Sequence, residues 1–381
     1  MTETGLKANV IFGGGSIDAV GRYNGRGVMI VTDKAMVKLG VIDSVVKLLG
    51  GSAVWVYDGV EPDPTLDQVT ECCRSFTSKR AEVLMAIGGG SVIDTAKAVV
   101  LVLQESRKDK VEFVAVPTTA GTGSEVTKYT VITDASVARK IPLADERMVP
   151  DLAILDHKLT KTVPPALTAY TGMDVVTHAL EAYVAKRANV ISDAHAEKAL
   201  KIAFPAVLAA YKNGDDDEAR ENMMMASYLV GLAFNKAGLG LCHSLAHSLG
   251  AAFKLPHGMA NAIALPHVVA YNAGLETPFG TDRSPTAARY AEAARLIGLP
   301  KAGVRLSVQY LVREIEDLNA KLGIPRNLVQ AGVSSLQYNE NRQEIVRSVL
   351  RDMCTDTNPV APSAVDVGKL SDRIFGKSVR I

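Results

Sequence analysis

The chain has 381 residues, room for two domains of ordinary size, and its 48% hydrophobic and 22% charged content suits a globular protein with a large core, not a disordered one. Lys and Arg number 42 against 41 Asp and Glu, so no electrostatic footprint for nucleic acid or an anionic membrane is present. Cys72, Cys73, Cys242 and Cys354 are too few for a disulfide framework and match no zinc module, no secretory leader is visible, and no apolar run is long enough to span a bilayer; a reducing cytoplasm is expected.

In chain order, RGVMIVTD, GSAVWVYDG, AEVLMAIGGG and VEFVAVPTT are short Val/Ile/Met-rich runs that end in Gly, Asp or Thr and read as strands. AMVKLGVIDSVVKLLG, TLDQVTECCRSFTSKR and SVIDTAKAVVLVLQES lie between or after them and read as helices. Apolar strands alternating with helices predict a parallel sheet covered on both faces. From Pro164 the pattern turns helical, with breaks at PP, NGDDD, KLPHG, GLP and GIP, and TPFGTDRSPT is the most loop-like insert. The boundaries expected are therefore 1–163 for an α/β domain and 164–381 for an all-helical one. Asp215 to Glu218 reads as a solvated loop.

Two loops in the first half suit an anion. Gly88-Gly89-Gly90-Ser91 follows a strand and opens a helix, where glycines admit close backbone approach and the helix start offers unpaired N–H groups. The next strand ends in PTTAGTGSEVT, dense in glycine and small hydroxyls, as expected of backbone wrapped around a ligand at the carboxyl end of parallel strands. Asp33, closing VMIVTD, stands where a carboxylate can hold ribose hydroxyls and repel a 2′-phosphate, and also where it can cap the following helix. Gly13-Gly14-Gly15-Ser16, after a short strand, reads as a turn.

Four of seven histidines fall in LCHSLAHSLGAAFKLPHGMANAIALPH. Upstream, TGMDVVTHALEAYV puts Asp174 and His178 one helical turn apart on one face, and His243 and His247 repeat that spacing. His257 follows in a Pro-His-Gly turn. One carboxylate with three neutral imidazoles suits ferrous iron or zinc with a position left open for a substrate oxygen. A lone histidine on an apolar helix face is more often a core residue; two spaced pairs and a turn together favour the metal. His267 reads as a structural or rim residue, and His157 and His195 as surface.

GGGSVIDTAKA, PTTAGTGSEVT with VITD, PDLAILD, TGMDVVTHALEAYV and GLGLCHSLAHSLGAAFKLPHGMANAIALPHV together resemble the iron-containing, group III alcohol dehydrogenases, nearly end to end through TDTNPVAPS. VPPALTAYTGMDVVTHALEAYVAKRAN is most similar to the propanol dehydrogenase branch. The resemblance implies an α/β N-terminal dinucleotide-binding domain plus an all-α C-terminal metal-binding domain, with the site between them. It carries the metal ligands onto Asp174, His178, His243 and His257, and a proton-relay role onto His247. The cofactor positions fall on Asp33, Gly89, Gly90, Ser91, Asp94, Thr118, Thr119, Thr122 and Lys140. Implied cofactors are NAD(H) and Fe(II), with Zn(II) as the alternative metal; implied partners are a small aldehyde or alcohol and further copies of the chain in a homodimer or larger oligomer, with microcompartment association permitted.

Ser248, Lys236, Lys128 and Tyr129 depart from the family pattern near the expected substrate side. The expected reaction is reversible hydride transfer between NAD(H) and a short-chain primary alcohol or aldehyde, in the reducing direction. An anionic aldehyde paired with Lys128 or Lys236 is the second reading. Non-redox elimination or hydrolysis at the metal is the alternative from another class.

Overall fold

The computed structural model describes residues 8–106, 111–134, 139–275, 280–281 and 284–377, with Ser106, Arg139 and Lys140 described by their backbone alone. It divides into two compact units, Met1–Val163 and Pro164–Ile381.

The first unit runs β1 (Asn9–Phe12), β2 (Gly27–Val31), α1 (Lys34–Lys38), α2 (Val41–Leu48), β3 (Ala53–Tyr57), α3 (Leu66–Lys79), β4 (Val83–Gly88), α4 (Gly90–Ser106), β5 (Glu112–Pro117), β6 (Tyr129–Asp134), β7 (Arg139–Ala144) and β8 (Leu152–Leu155). Six strands form one parallel sheet in the order β1-β8-β5-β4-β2-β3. The residues alternate as a strand requires. Val28, Ile30, Val83, Met85, Val114 and Val116 pack with Val20, Ile42, Val45 and Leu49 on one face. Met29, Val31, Leu84, Ala86, Phe113 and Ala115 pack with Val69, Phe76, Ile93, Val99 and Leu103 on the other. A sheet covered on both faces explains why its strands read as continuous apolar runs.

The expected strands and helices are present, with additions. The helix expected over AMVKLGVIDSVVKLLG breaks into α1 and α2 at Gly40, whose φ of 73° lies in the left-handed region. β8 and the antiparallel β6–β7 hairpin were not expected as strands. β8 is four residues long, too short for a pattern to establish. It inserts between β1 and β5, so the chain recrosses the sheet before leaving this unit.

The second unit holds α5 (Pro165–Val184), α6 (Val190–Lys212), α7 (Asp217–Ala237), α8 (Leu241–Phe253), α9 (His257–Asn272), α10 (Pro285–Leu296), α11 (Val304–Lys321), α12 (Ser335–Arg351), α13 (Met353–Thr357) and α14 (Ala364–Phe375). α5 is its axis, packed against α6, α7, α9 and α10. It is buried without interruption from Gly172 to Val184, as a helix enclosed by neighbours must be. Apart from Tyr183, the polar side chains in that stretch fall on one stripe, Asp174, Thr177, His178 and Glu181. The acidic run is not wholly loop: Asp216 caps α7, and Asp217 and Glu218 form its first turn, where carboxylates oppose the helix dipole. Part of TPFGTDRSPT lies outside the described residues. Among the described residues, no helix is long and apolar enough to cross a membrane.

Candidate functional site

In the first unit, β2 leads to β3 on one side and β4 leads to β5 on the other, so chain direction diverges between β2 and β4. Ligands of open parallel sheets bind at such a point, outside the carboxyl ends of the strands. Asp33 follows β2 there. Its side chain caps α1, accepting from the N–H groups of Ala35 and Met36 at 2.8 and 3.0 Å, so one carboxylate oxygen has the capping role.

After β4, Gly89 and Gly90 let two loops touch. A Cβ on Gly90 would stand 2.7 Å from the Thr122 methyl, and one on Gly89 would stand 3.3 Å from Thr119 Oγ1. α4 then begins with no acidic residue in its first turn, leaving the positive end of a long helix uncompensated. The contrast with Gly13–Ser16 is direct: there the N–H groups of Gly15 and Ile17 are taken by Asp156 Oδ2 at 2.9 and 3.3 Å, which makes that run a closed turn. Gly89, Gly90, Ser91, Thr119 and Thr122 stay partly accessible, whereas Thr118 is buried, its N–H bonded to Gly88 O at 3.0 Å. Asp94 faces inward, accepting from Ser124 Oγ at 2.7 Å and Val131 N–H at 3.3 Å.

Lys97, unsuspected from sequence, is fully buried and donates to Thr127 Oγ1 and Tyr129 O at 2.9 and 2.8 Å, pinning the far end of the threonine loop. Burial pushes its ammonium down to about 8. Lys140 lies on β7, and its side chain is outside the described residues. Lys128 bonds Glu146 at 2.8 Å, so its charge is already matched.

In the second unit, Asp174, His243 and His257 present donor atoms that all lie within 4.8 Å of one another. Asp174 Oδ1 is 3.7 Å from His243 Nε2 and 3.5 Å from His257 Nε2. His178 Nδ1 is 3.8 Å from Asp174 Oδ2, and its ring packs between Phe234 and His243 at centroid distances of 4.7 and 4.4 Å. These separations exceed hydrogen-bond length, yet they approach the edge of about 3.4 Å of a tetrahedron whose centre is about 2.1 Å from each donor. His243 Nε2 is buried and makes no hydrogen bond. Burial pushes Asp174 and Glu181 up to about 7 and holds the His243 imidazole well below its usual range, so the group is costly without positive charge at its centre. The donor set therefore fits a divalent cation.

His257 does not sit in a turn. It opens α9, because the bend falls on Lys254 to Pro256. Gly258 brings that first turn onto α5: a Cβ there would stand 2.1 Å from the carbonyl oxygen of Tyr170. The His257 side chain is 39% exposed against 2% for His243, so the group is open on the His257 side. His247 stacks on His257 at 5.3 Å. Its Nδ1 donates to Asp352 Oδ2 at 2.9 Å, which leaves Nε2 as the nitrogen open to proton exchange.

Sequence reasoning did not single out Glu181, Asp352 or Asn261. Glu181 bonds His243 Nδ1 at 2.6 Å. Its distance from Asp174, two helical turns on the same face, was the available signal. Asn261 donates to Asp174 Oδ1 at 2.7 Å. Asp352 also accepts from Ser244 Oγ and Cys354 N–H at 3.1 and 2.8 Å. Burial raises this carboxyl, but the bonds from His247 and Cys354 outweigh it and hold the group at about 2. Nothing in sequence ties Asp352 to a histidine 105 positions earlier.

Of the remaining histidines, His157 is 6% exposed, not a surface residue, because its ring packs beneath Gly14. His195 is partly exposed and bonds Ile191 O. His267 is largely buried, and desolvation lowers it to about 4.

Residues 7–157 match the model of iron-containing alcohol dehydrogenases, and residues 168–375 match the C-terminal model of the Fe-containing alcohol dehydrogenase family. The chain is 36% identical to a 1-propanol dehydrogenase of Salmonella typhimurium, over 98% of this chain and all of that one. It is 34% identical to an NADPH-dependent butanol dehydrogenase of Clostridium saccharobutylicum, over 97% of each chain. The crystal structure of sulfoacetaldehyde reductase from Bifidobacterium kashiwanohense in complex with NAD+ superposes with a TM-score of 0.85 at 27% identity, covering 99% of this chain and all of that one.

Proposed function

Since the chain belongs to the iron-containing alcohol dehydrogenase family, we propose that this oxidoreductase interconverts a short-chain aldehyde and its primary alcohol with NAD(H), in the aldehyde-reducing direction. The observation that carries this reading is the convergence of Asp174, His243 and His257 within 4.8 Å. With His178 they would hold the metal, Fe(II) or Zn(II), since imidazole and carboxylate donors accept either. Once bound, the cation supplies Lewis acidity toward a substrate oxygen and the nicotinamide supplies the hydride.

The protein's own groups do the rest. The α4 start with Gly89, Gly90 and Ser91 receives a pyrophosphate, Thr119 and Thr122 with Lys140 complete the cofactor site while Thr118 and Asp94 brace its loops from within, and Asp33 selects a ribose without a 2′-phosphate. Asp174 brings negative charge to the metal. His247 exchanges the proton through Nε2, and Asp352 keeps that nitrogen available by holding the Nδ1 proton.

Asp352→Asn should then lower kcat by roughly ten- to hundredfold with little change in KM and move the pH profile, because the amide no longer fixes the tautomer. An unchanged profile contradicts the relay. Asp33→Gly should raise kcat/KM for NADPH relative to NADH by about tenfold or more, since like-charge repulsion of the 2′-phosphate is removed. A parent enzyme that already prefers NADPH contradicts this reading of Asp33.

The function itself is tested by following reduced nicotinamide absorbance with metal-loaded protein and propanal. NADH consumption that ceases on chelation is the expected result, and its absence with every short aldehyde favours the non-redox alternative. With Lys128 matched by Glu146, propanal should exceed sulfoacetaldehyde in kcat/KM. The reverse order would turn attention to Lys236, the other lysine of the second reading, in the last turn of α7.

A further inference from the structure

α8 carries both His243 and His247, yet its start lacks a cap of its own. The N-cap is Gly240, which offers no side-chain bond to the first turn. The exposed N–H groups of a helix start need partners. Here they come from distant elements: Glu181 on α5 accepts from Gly240 N–H at 3.1 Å and Cys242 N–H at 2.6 Å, and Asn358 accepts from Leu241 N–H at 3.0 Å. Gly240 is what lets them in, because a Cβ there would stand 2.8 Å from Glu181 Oε1 and 2.7 Å from Asn358 Oδ1.

The Glu181 oxygen that holds Gly240 also meets His243 Nδ1 at 2.6 Å. Both Glu181 oxygens already accept backbone N–H groups, from Gly240 and from Cys242, so at that distance Nδ1 carries the proton. A neutral imidazole protonated at Nδ1 has its lone pair on Nε2, the atom that lies 3.7 Å from Asp174 Oδ1. One side chain thus fixes where α8 begins, how the His243 ring is turned and which nitrogen can bind a cation. Two carboxylates, Asp174 and Glu181, also match the two charges of a divalent ion.

We propose that Glu181 is a positioning residue of the metal centre, locking His243 in the Nδ1–H tautomer and anchoring the start of α8. This rests on the metal reading above. Orientation of a ligand imidazole by a carboxylate on its other nitrogen is a general device, and its loss weakens metal affinity by about 10–100-fold.

The test is Glu181→Gln. Its amide oxygen can keep the Cys242 N–H bond, while its amide N–H takes the place that faced Gly240 and His243 Nδ1, giving up the Gly240 bond and driving the imidazole proton to Nε2. Metal-free full-length protein, parent and variant, is compared by ¹⁵N imidazole NMR, by zinc titration against a chelator, and by thermal unfolding. The expected result is an Nδ1–H tautomer in the parent, an Nε2–H tautomer in the variant, and zinc affinity lower by about 10–100-fold in the variant at a similar unfolding temperature. Equal affinity, or an Nε2–H tautomer in the parent, overturns the proposal. If the variant does not fold, the parent's tautomer decides. A parent with the Nδ1–H tautomer but no zinc binding would defeat the metal reading, and the metal-centre role of Glu181 with it, while leaving the hydrogen bond itself established.

Discussion

His257→Ala will leave a folded protein that binds divalent metal at least a hundredfold more weakly and turns over aldehyde about a thousandfold more slowly. The fold survives because the side chain is 39% exposed and starts a helix, so its removal opens no cavity in the core. Affinity falls because four-ligand zinc sites contribute about 10–16 kcal/mol, or about 3 kcal/mol for each ligand. Turnover falls further, since losing the Lewis acid forfeits several kcal/mol of stabilisation of developing charge. Metal content after dialysis and kcat with propanal check the two halves. Parent-like values in both contradict the assignment of His257.

Gly258→Ala will damage the same centre without touching a donor atom. The new methyl would lie 2.1 Å from Tyr170 O and 2.6 Å from its carbonyl carbon, both backbone atoms that no rotamer change can move. α9 must withdraw from α5, and His257 with it, away from the Asp174 oxygen now 3.5 Å from it. Such overpacking costs about 3 kcal/mol, enough to lower a denaturant midpoint clearly, and zinc affinity should fall alongside. A variant as stable as the parent, with unchanged affinity, would show that the two helices do not need this approach.

Most of the layout was legible because the features that specify it are local. Continuous apolar runs between helices signalled a parallel sheet with both faces covered, and Asp174 with His178 declared a helix face by spacing alone. What escaped depended on distant partners. Asp352 reaches His247 only through the return of α12 to α8, Lys97 becomes a loop anchor only where β6 passes α4, and the orientation of His243 depends on Glu181 meeting a glycine on another helix. His157 failed for the same reason: its sequence neighbours are polar, but the turn at Gly14 covers it. The helix split at Gly40 and the helix start at His257 were local features misjudged, a glycine taken as tolerated within a helix and a Pro-His-Gly run taken as a turn when it is a helix beginning.

Anomalous diffraction from crystals of zinc- or iron-loaded protein decides whether a divalent cation sits among Asp174, His178, His243 and His257. One strong peak is expected about 2.0–2.2 Å from an Asp174 oxygen and from His243 Nε2. A metal bound elsewhere, or a fully active protein with no peak among these four residues, would contradict it.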